Sequence, residues 1–175
     1  MSRWQTVMLL TLLGCATLTV ADEPQKAVGE TTTVDPLARE KAKSAEFFQK
    51  LDAEEGVRKL PSGLRIRMVH EGDGASPSST DMVRVHYRGT FLDGKEFDSS
   101  HKRGQPARLS MTQVISCWTE GLQLMKTGGK ATLYCPSEIA YGDSGRPPAI
   151  PAGATLMFDV ELIEIVNRAV APAMP

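Results

Sequence analysis

Apolar and polar side chains alternate between residues 83 and 91, the period-two pattern of a half-buried β-strand. Asp93 and Gly94 follow as a turn, since glycine accepts a positive φ and aspartate can accept a hydrogen bond from its own backbone. The chain then returns, so the pattern predicts a β-hairpin. Its side chains would line a pocket or, alternatively, belong to a plain core beside a turn-capping aspartate. The three that the hairpin presents together are Tyr87, Phe97 and Asp98.

Similar patterns extend over residues 58–167, the predicted main domain. A short helix is predicted around Trp118, Leu122 and Met125, whose spacing of i, i+4 and i+7 buries one face. A long loop with several prolines and glycines follows at 137–153. These elements predict an α+β fold, in which a curved antiparallel sheet of about five or six strands wraps around one short helix. The predicted strands are 64–68, 83–91, one around Leu109, 130–135 and 154–166.

Residues 1–21 have the pattern of a secretory signal peptide. A positive residue precedes a short apolar run at 7–13, and small residues end at Ala21. The apolar run is too short to span a bilayer. This interpretation predicts a periplasmic protein that is cleaved after Ala21. A competing interpretation is a lipoprotein signal, in which a lipidated Cys15 would attach the protein to the outer membrane.

A single N-terminal helix is predicted over residues 35–57, because an aspartate N-cap and a proline begin it. Gly56 is expected to end this helix after about residue 55. Its narrow apolar stripe would pack on the following domain or pair weakly with a second copy, so we expect a monomer or a weak dimer. The polar composition of residues 22–34 predicts a flexible linker. Residues 168–175 at the C-terminus are predicted to be a disordered tail.

Composition narrows the candidate functions. Of the 175 residues 41% are hydrophobic and 23% charged, as in one ordinary globular domain. The net charge of −1 gives no basic excess, so nucleic acid is not an expected partner. The three histidines are far apart in the sequence, and no cysteine or carboxylate lies at metal-ligand spacing from them, which argues against a metal site. No serine or cysteine has a base beside it, except for serines near His101, so covalent catalysis is disfavoured.

Most aromatic side chains after the linker are predicted at strand ends, the helix start or loop junctions rather than in strand interiors. This placement is typical of a concave apolar site with a few polar groups at its rim. A plain aromatic core is the alternative. The residues concerned are Tyr87, Phe97, Trp118, Tyr141 and Phe158.

The chain resembles the FKBP-type peptidyl-prolyl cis-trans isomerases in three separated motifs, which are VHYRGTFLDGKEFDSS, VISCWTEGLQLM and IAYGDSGRPPAIPAGATLMFDVELIEI. The preceding EEGVRKLPSGLRIRMV resembles the Mip-like bacterial periplasmic branch (macrophage infectivity potentiator relatives). The resemblance implies an FKBP-like fold and a rotamase that assists the folding of exported proteins. Its apolar pocket would stabilise the twisted amide non-covalently and without a cofactor. A non-catalytic chaperone or binding module for proline-containing segments is the alternative.

The resemblance also implies ligands and positions for the site. Proline-containing unfolded polypeptides would be the substrates, and macrolides the inhibitors. Trp118 would form the floor, Asp98 and Tyr141 the polar rim, Arg103 a partner of the rim carboxylate, and Ile150 part of a flap. The apolar walls would be Tyr87, Phe97, Val114, Ile115 and Phe158. Positions that depart from residues common in the family are Ala107, Cys117, Ile139 and Arg146.

A disulfide between Cys117 and Cys135 is expected if the leader is removed. Cys15 would leave with the leader, and an even number of cysteines would remain in an oxidising compartment. Cys117 stands just before the predicted central helix, and Cys135 ends a strand whose buried face should point at that helix. The alternative is a pair of buried free thiols that act as small apolar side chains.

Overall fold

The computed structural model describes residues 35–167, so the predicted leader 1–21, the linker 22–34, Cys15 and the tail 168–175 lie outside the described residues. The described part contains two α-helices, seven strands and a short 3-10 turn. The helices are α1 (Pro36–Leu51) and α2 (Ser116–Gln123), and the turn is Ser137–Ile139. The strands are β1 (Val57–Lys59), β2 (Arg65–His70), β3 (Met82–Phe91), β4 (Glu96–Ser99), β5 (Ala107–Ser110), β6 (Lys130–Cys135) and β7 (Leu156–Asn167).

The strands form one curved antiparallel sheet in the order β1-β2-β6-β7-β3-β4, with β5 also paired to β3. β3 and β7 are the two long strands at its centre, and their register runs from Met82 opposite Asn167 to Phe91 opposite Leu156. β4 pairs with one half of β3 and β5 with the other. The predicted fold class is therefore confirmed, with one strand more than expected.

The additional strand is β1. It has only three residues, and only Val57 is partly buried, so its sequence carries little alternation. The strand exists because the turn after it brings it back onto β2, where the Leu60 amide donates to the Leu64 carbonyl at 2.8 Å. Pairing with a neighbour, rather than its own pattern, defines this strand.

The core lies between α2 and the sheet. Trp118, Leu122 and Met125 are all buried, as their spacing predicted, although α2 itself ends at Gln123, before Met125. Gly121 allows α2 to approach β6 closely, because a Cβ atom added there would lie 2.8 Å from the Leu133 side chain. This close packing fixes the height of the α2 side chains above the sheet.

α1 packs on the outside of the same sheet through its apolar stripe. Phe48 and Leu51 are buried in a small cluster with Tyr134 of β6. The Arg65 guanidinium lies 4.1 Å from the centre of the Phe48 ring, a cation–π contact. Of the two expected roles for this stripe, packing on the following domain is the one that the structure describes.

The prediction that this helix continues to about residue 55 was wrong, since α1 ends at Leu51. Asp52 is the C-cap residue, and its carboxylate accepts hydrogen bonds from Arg65 at 2.8 and 2.9 Å and from Lys59 at 3.0 Å. Gly56, at a φ of +79°, then turns the chain into β1 rather than capping the helix. Neither helix in the described residues is long and apolar enough to cross a membrane.

Candidate functional site

One cavity of about 380 Å³ opens where both long strands, α2 and the loop after β6 meet. Its lining is mainly aromatic and aliphatic, with few polar groups, as in typical small-ligand sites. A larger groove of about 490 Å³ beside α1 is lined in part by four charged side chains of that helix, Glu40, Lys43, Glu46 and Lys50. The residues that line the aromatic cavity are Tyr87, Phe97, Asp98, Leu109, Gln113, Val114, Ile115, Trp118, Tyr141, Arg146 and Phe158.

Edge-to-face ring contacts hold the aromatic part of the cavity in one arrangement. The Trp118 ring meets Tyr87 at 5.1 Å and Phe158 at 5.2 Å between centroids, with interplanar angles of 88° and 85°. Phe97 meets Phe158 at 5.6 Å and 84°. These are the favoured geometries for aromatic pairs. Trp118 therefore forms a floor and the other three rings form walls around an apolar space.

Gly89 of β3 makes this ring arrangement possible. A Cβ atom added there would lie 2.7 Å from the Phe97 ring and 3.1 Å from the Phe158 ring. The pairing of β3 with β4 also shifts its register between Gly89 and Thr90. A glycine inside an otherwise regular strand often marks such a close approach, so the position of Gly89 within the β3 pattern is itself an indication of this packing.

A hydrogen-bonded group of three side chains forms one side of the rim. The Tyr87 hydroxyl donates to the Asp98 carboxylate, and Arg103 donates to Asp98 at 2.5 Å and to the Tyr87 oxygen at 2.7 Å. Burial raises the pKa of Asp98, but the hydrogen bonds from Tyr87 and Arg103 outweigh it and hold that pKa below its usual value. Burial, followed by the hydrogen bond to Asp98, raises the pKa of the Tyr87 phenol. The rim carboxylate is thus ionised and paired at neutral pH.

Ile115 supplies a backbone donor at the mouth of α2. It is the N-cap residue of this helix, and its carbonyl accepts from the amides of Trp118 at 2.9 Å and Thr119 at 3.2 Å. Within residues 35–167 its own amide N–H donates no hydrogen bond. A ligand carbonyl could therefore accept a hydrogen bond from this amide without displacing an internal partner.

A disulfide joins α2 to β6 behind the cavity floor. Cys117 and Cys135 are paired with their Cα atoms 5.8 Å apart, and both residues are completely buried. Because Cys117 precedes Trp118, the bond connects the segment that carries the floor directly to the sheet.

The structure brings together most of the predicted site residues, with two exceptions. Arg103 does not line the cavity but binds Asp98 and Tyr87 at its rim. Ile150 also lies away from the lining: it is 3% exposed and packs in the main core. Two backbone hydrogen bonds between Arg146 and Ile150 fold the loop back on itself, so Arg146 lies at the cavity instead.

The structure also differs from the predictions in where two aromatic residues lie and in which further residues line the cavity. Tyr87 and Phe158 lie inside β3 and β7, so the expectation that these aromatic residues lie at junctions was wrong for them. Leu109, Gln113 and Arg146 line the cavity but were not among the predicted site residues. Leu109 lies on β5 and Gln113 in the connection from β5 to α2, so the positions of both depend on the pairing of β5 with β3.

Chemically, the cavity can bind and orient a ligand through its apolar lining and a few polar groups. No serine, cysteine or histidine lines it among the described residues. Residues 35–167 also contain no cluster of three or more histidine, cysteine or acidic side chains that could hold a metal ion. The lining instead combines an apolar interior with a phenol, a paired carboxylate and a backbone amide.

Comparison with known proteins places this cavity in a family context. A profile of the family described as FKBP-type peptidyl-prolyl cis-trans isomerase matches residues 74–163. The isomerase FkpA of Escherichia coli strain K12 is 44% identical over 138 residues, which cover 79% of this chain and 51% of that protein. FkpA of Aeromonas hydrophila is 48% identical over 136 residues, which cover 77% of this chain and 50% of that protein. The chain thus spans about half the length of these curated relatives.

Solved structures agree with the fold. The crystal structure of FkpA from Escherichia coli superposes with a TM-score of 0.72 at 45% identity, covering 74% of this chain and 60% of that one. A peptidyl-prolyl cis-trans isomerase from Pseudomonas syringae pv. tomato strain DC3000 superposes with a TM-score of 0.71 at 35% identity, covering 77% of this chain and 99% of that one.

Proposed function

Because this chain belongs to the family of FKBP-type peptidyl-prolyl cis-trans isomerases, we propose that it catalyses the isomerisation of peptide bonds that precede proline. The observation that carries the proposal is the apolar cavity of about 380 Å³ with Trp118 as its floor and aromatic rings as its walls. Such a cavity fits a prolyl ring. The isomerase domain is proposed to comprise residues 58–167, which include the part that the family profile matches.

The cavity would act on the amide by differential binding. Rotation about a peptide bond crosses a barrier of about 18–20 kcal/mol in water, because resonance holds the amide planar. In the twisted transition state this resonance is lost, and the carbonyl carries less charge. An apolar surrounding penalises the polar planar form more than the twisted one, which lowers the barrier without proton transfer.

Polar groups at the rim would position the polypeptide. The Ile115 amide and the Tyr141 hydroxyl are proposed to donate hydrogen bonds to substrate carbonyls. Asp98 and Arg103 would keep Tyr87 in place, since both contact its hydroxyl. The catalytic roles then belong to Tyr87, Phe97, Asp98, Trp118, Tyr141 and Phe158, with Val114 and Ile115 in substrate binding and Arg103 as a positioning residue.

The proposed mechanism has a characteristic pH dependence. Asp98 stays ionised because its pKa is lowered, and Tyr87 stays protonated because its pKa is raised. With ordinary pKa values of about 3.9 and 10, kcat/KM for an uncharged peptide should be constant between about pH 5 and pH 9. Below about pH 4, protonation of Asp98 should loosen the rim and lower both activity and stability, since its folded-state pKa lies below the unfolded value. A bell-shaped profile centred near pH 7 would instead indicate acid–base catalysis.

The proposed biological role is assistance to the folding of exported proteins. We expect the chain to accelerate a refolding phase that is limited by one X–Pro bond, in a test protein without disulfides. A macrolide of the kind that the family binds should occupy the cavity and suppress the acceleration. A chaperone or binding module without turnover would leave this phase unchanged or slow it, while still binding the unfolded test protein.

We further propose that the protein is periplasmic, with a signal peptide over residues 1–21 and cleavage after Ala21. The pattern of this segment supports the proposal. The intact mass of protein expressed with its own leader would decide between the two signals: a chain beginning at Asp22 supports the periplasmic form, and a lipid adduct on Cys15 supports the membrane-attached form. The oligomeric state, a monomer or a weak dimer through α1, stays a prediction.

A further inference from the structure

Arg146 is a cation held at the cavity by its backbone. Its amide donates to the Ile150 carbonyl at 2.8 Å, and its carbonyl accepts from the amides of Ala149 at 3.1 Å and Ile150 at 2.9 Å. Gly145 beside it has a φ of +63°, and a Cβ atom there would lie 2.4 Å from the Pro151 carbonyl oxygen. The base of the Arg146 side chain is therefore fixed, while the residue as a whole is exposed.

The charge of Arg146 is not balanced by a neighbour within residues 35–167. Its guanidinium makes no ion pair or side-chain hydrogen bond in this part of the chain. Asp143, three residues before it on the same loop, binds Lys41 at 2.7 Å instead.

The other charges at the cavity cancel. Asp98 is the only acidic residue in the lining described here, and it is paired with Arg103 at 2.5 Å. The mouth of an otherwise apolar cavity therefore carries a net positive charge from Arg146. A charge at the entrance of a low-dielectric cleft acts on ligands more strongly than the same charge on an open surface.

We propose that Arg146 is a specificity-determining residue, which favours polypeptide segments with an acidic side chain next to the proline. This inference rests on the proposed isomerase function of the same cavity. A guanidinium binds carboxylates through two parallel hydrogen bonds and repels lysine and arginine side chains. The aromatic cavity would bind the proline itself, and Arg146 would select among the residues next to that proline.

Peptides that differ only in one side chain test this proposal. Acetylated and amidated peptides carry Glu, Gln or Lys directly before the proline in one series and directly after it in another. Magnetisation-exchange NMR measures catalysed cis–trans exchange without a coupling protease. In at least one series kcat/KM should fall in the order Glu, Gln, Lys, by about two- to fivefold at each step at low salt. The differences should shrink in about 1 M salt, because screening weakens exposed charges.

Variants assign the preference to the side chain rather than to the loop. Arg146→Gln should remove the ranking and Arg146→Glu should reverse it, each judged from the ratios of kcat/KM between peptides within one variant. Arg39→Glu changes the net charge equally at an exposed position of α1, and it should preserve the wild-type ranking. Equal kcat/KM values across both series, or a ranking that survives in Arg146→Gln, would overturn the specificity role. Failure of the wild type to accelerate any peptide would instead overturn the isomerase function, and the role of Arg146 with it.

Discussion

Replacing Phe97 with alanine should lower kcat/KM for X–Pro peptides by about ten- to a hundredfold. Its ring forms one wall of the cavity and packs against Phe158 at 5.6 Å and Phe91 at 4.9 Å. Loss of this wall would remove apolar contact with the prolyl ring worth about 1.5–3 kcal/mol. Each 1.4 kcal/mol or so corresponds to a factor of ten in rate. Water would also enter the opened side and reduce the preference of the cavity for the twisted amide.

Phe47→Ala is the matched control for this variant. Phe47 lies on α1 with its ring 5.9 Å from Tyr134, and it does not line the aromatic cavity. We expect Phe47→Ala to reduce stability without changing kcat/KM by more than about twofold. Near-ultraviolet circular dichroism and thermal unfolding should show that both variants are folded. A folded Phe97→Ala protein with more than half of the wild-type kcat/KM would contradict the role of this ring.

Loss of the Cys117–Cys135 disulfide should lower the free energy of unfolding by about 3 kcal/mol. The bond closes a loop with a sequence separation of 18, for which the chain-entropy argument gives this magnitude. Urea unfolding of the Cys117→Ala/Cys135→Ala double variant against the oxidised wild type would measure it. The double variant should also lose activity, because α2 and Trp118 would no longer be tied to β6.

Two controls separate the bond from the side chains that form it. Wild type under strong reducing conditions should lose about the same stability as the double variant, which itself should not respond to reductant. In a Cys15→Ser background, thiol titration of denatured, non-reduced protein should find no free thiol. Two free thiols per chain would show that both cysteines are unpaired and would remove this contribution to stability.

The long elements could be predicted because their own side chains define them. Along β3, buried Val83, Val85 and Tyr87 alternate with less buried residues, as a strand with one face on the core requires. β1 and the end of α1 are defined by distant partners instead. At the end of α1 the Asp52 carboxylate pairs with Lys59 on β1 and Arg65 on β2, and no pattern within the helix encodes these partners.

The residues of the site show the same contrast between positions set by their own element and positions set by distant contacts. Trp118 and Phe97 could be assigned from motifs because they belong to regular elements near turns that the sequence marks. The burial of Ile150 in the core and the position of Arg146 at the cavity could not be predicted, because both depend on how one loop folds back onto itself. The importance of Gly89 likewise becomes visible only when the Phe97 and Phe158 rings are seen above it.

The most direct test of the isomerase function is the rate of cis–trans exchange in a short peptide with a leucine before the proline. Magnetisation-exchange NMR should show exchange that rises linearly with catalytic amounts of the protein, is abolished by a competing macrolide and is strongly reduced in Phe97→Ala. Uncatalysed exchange takes tens of seconds or longer at 25 °C, so the background is low. Binding of the peptide in the cavity without any increase in exchange would contradict the proposed catalysis.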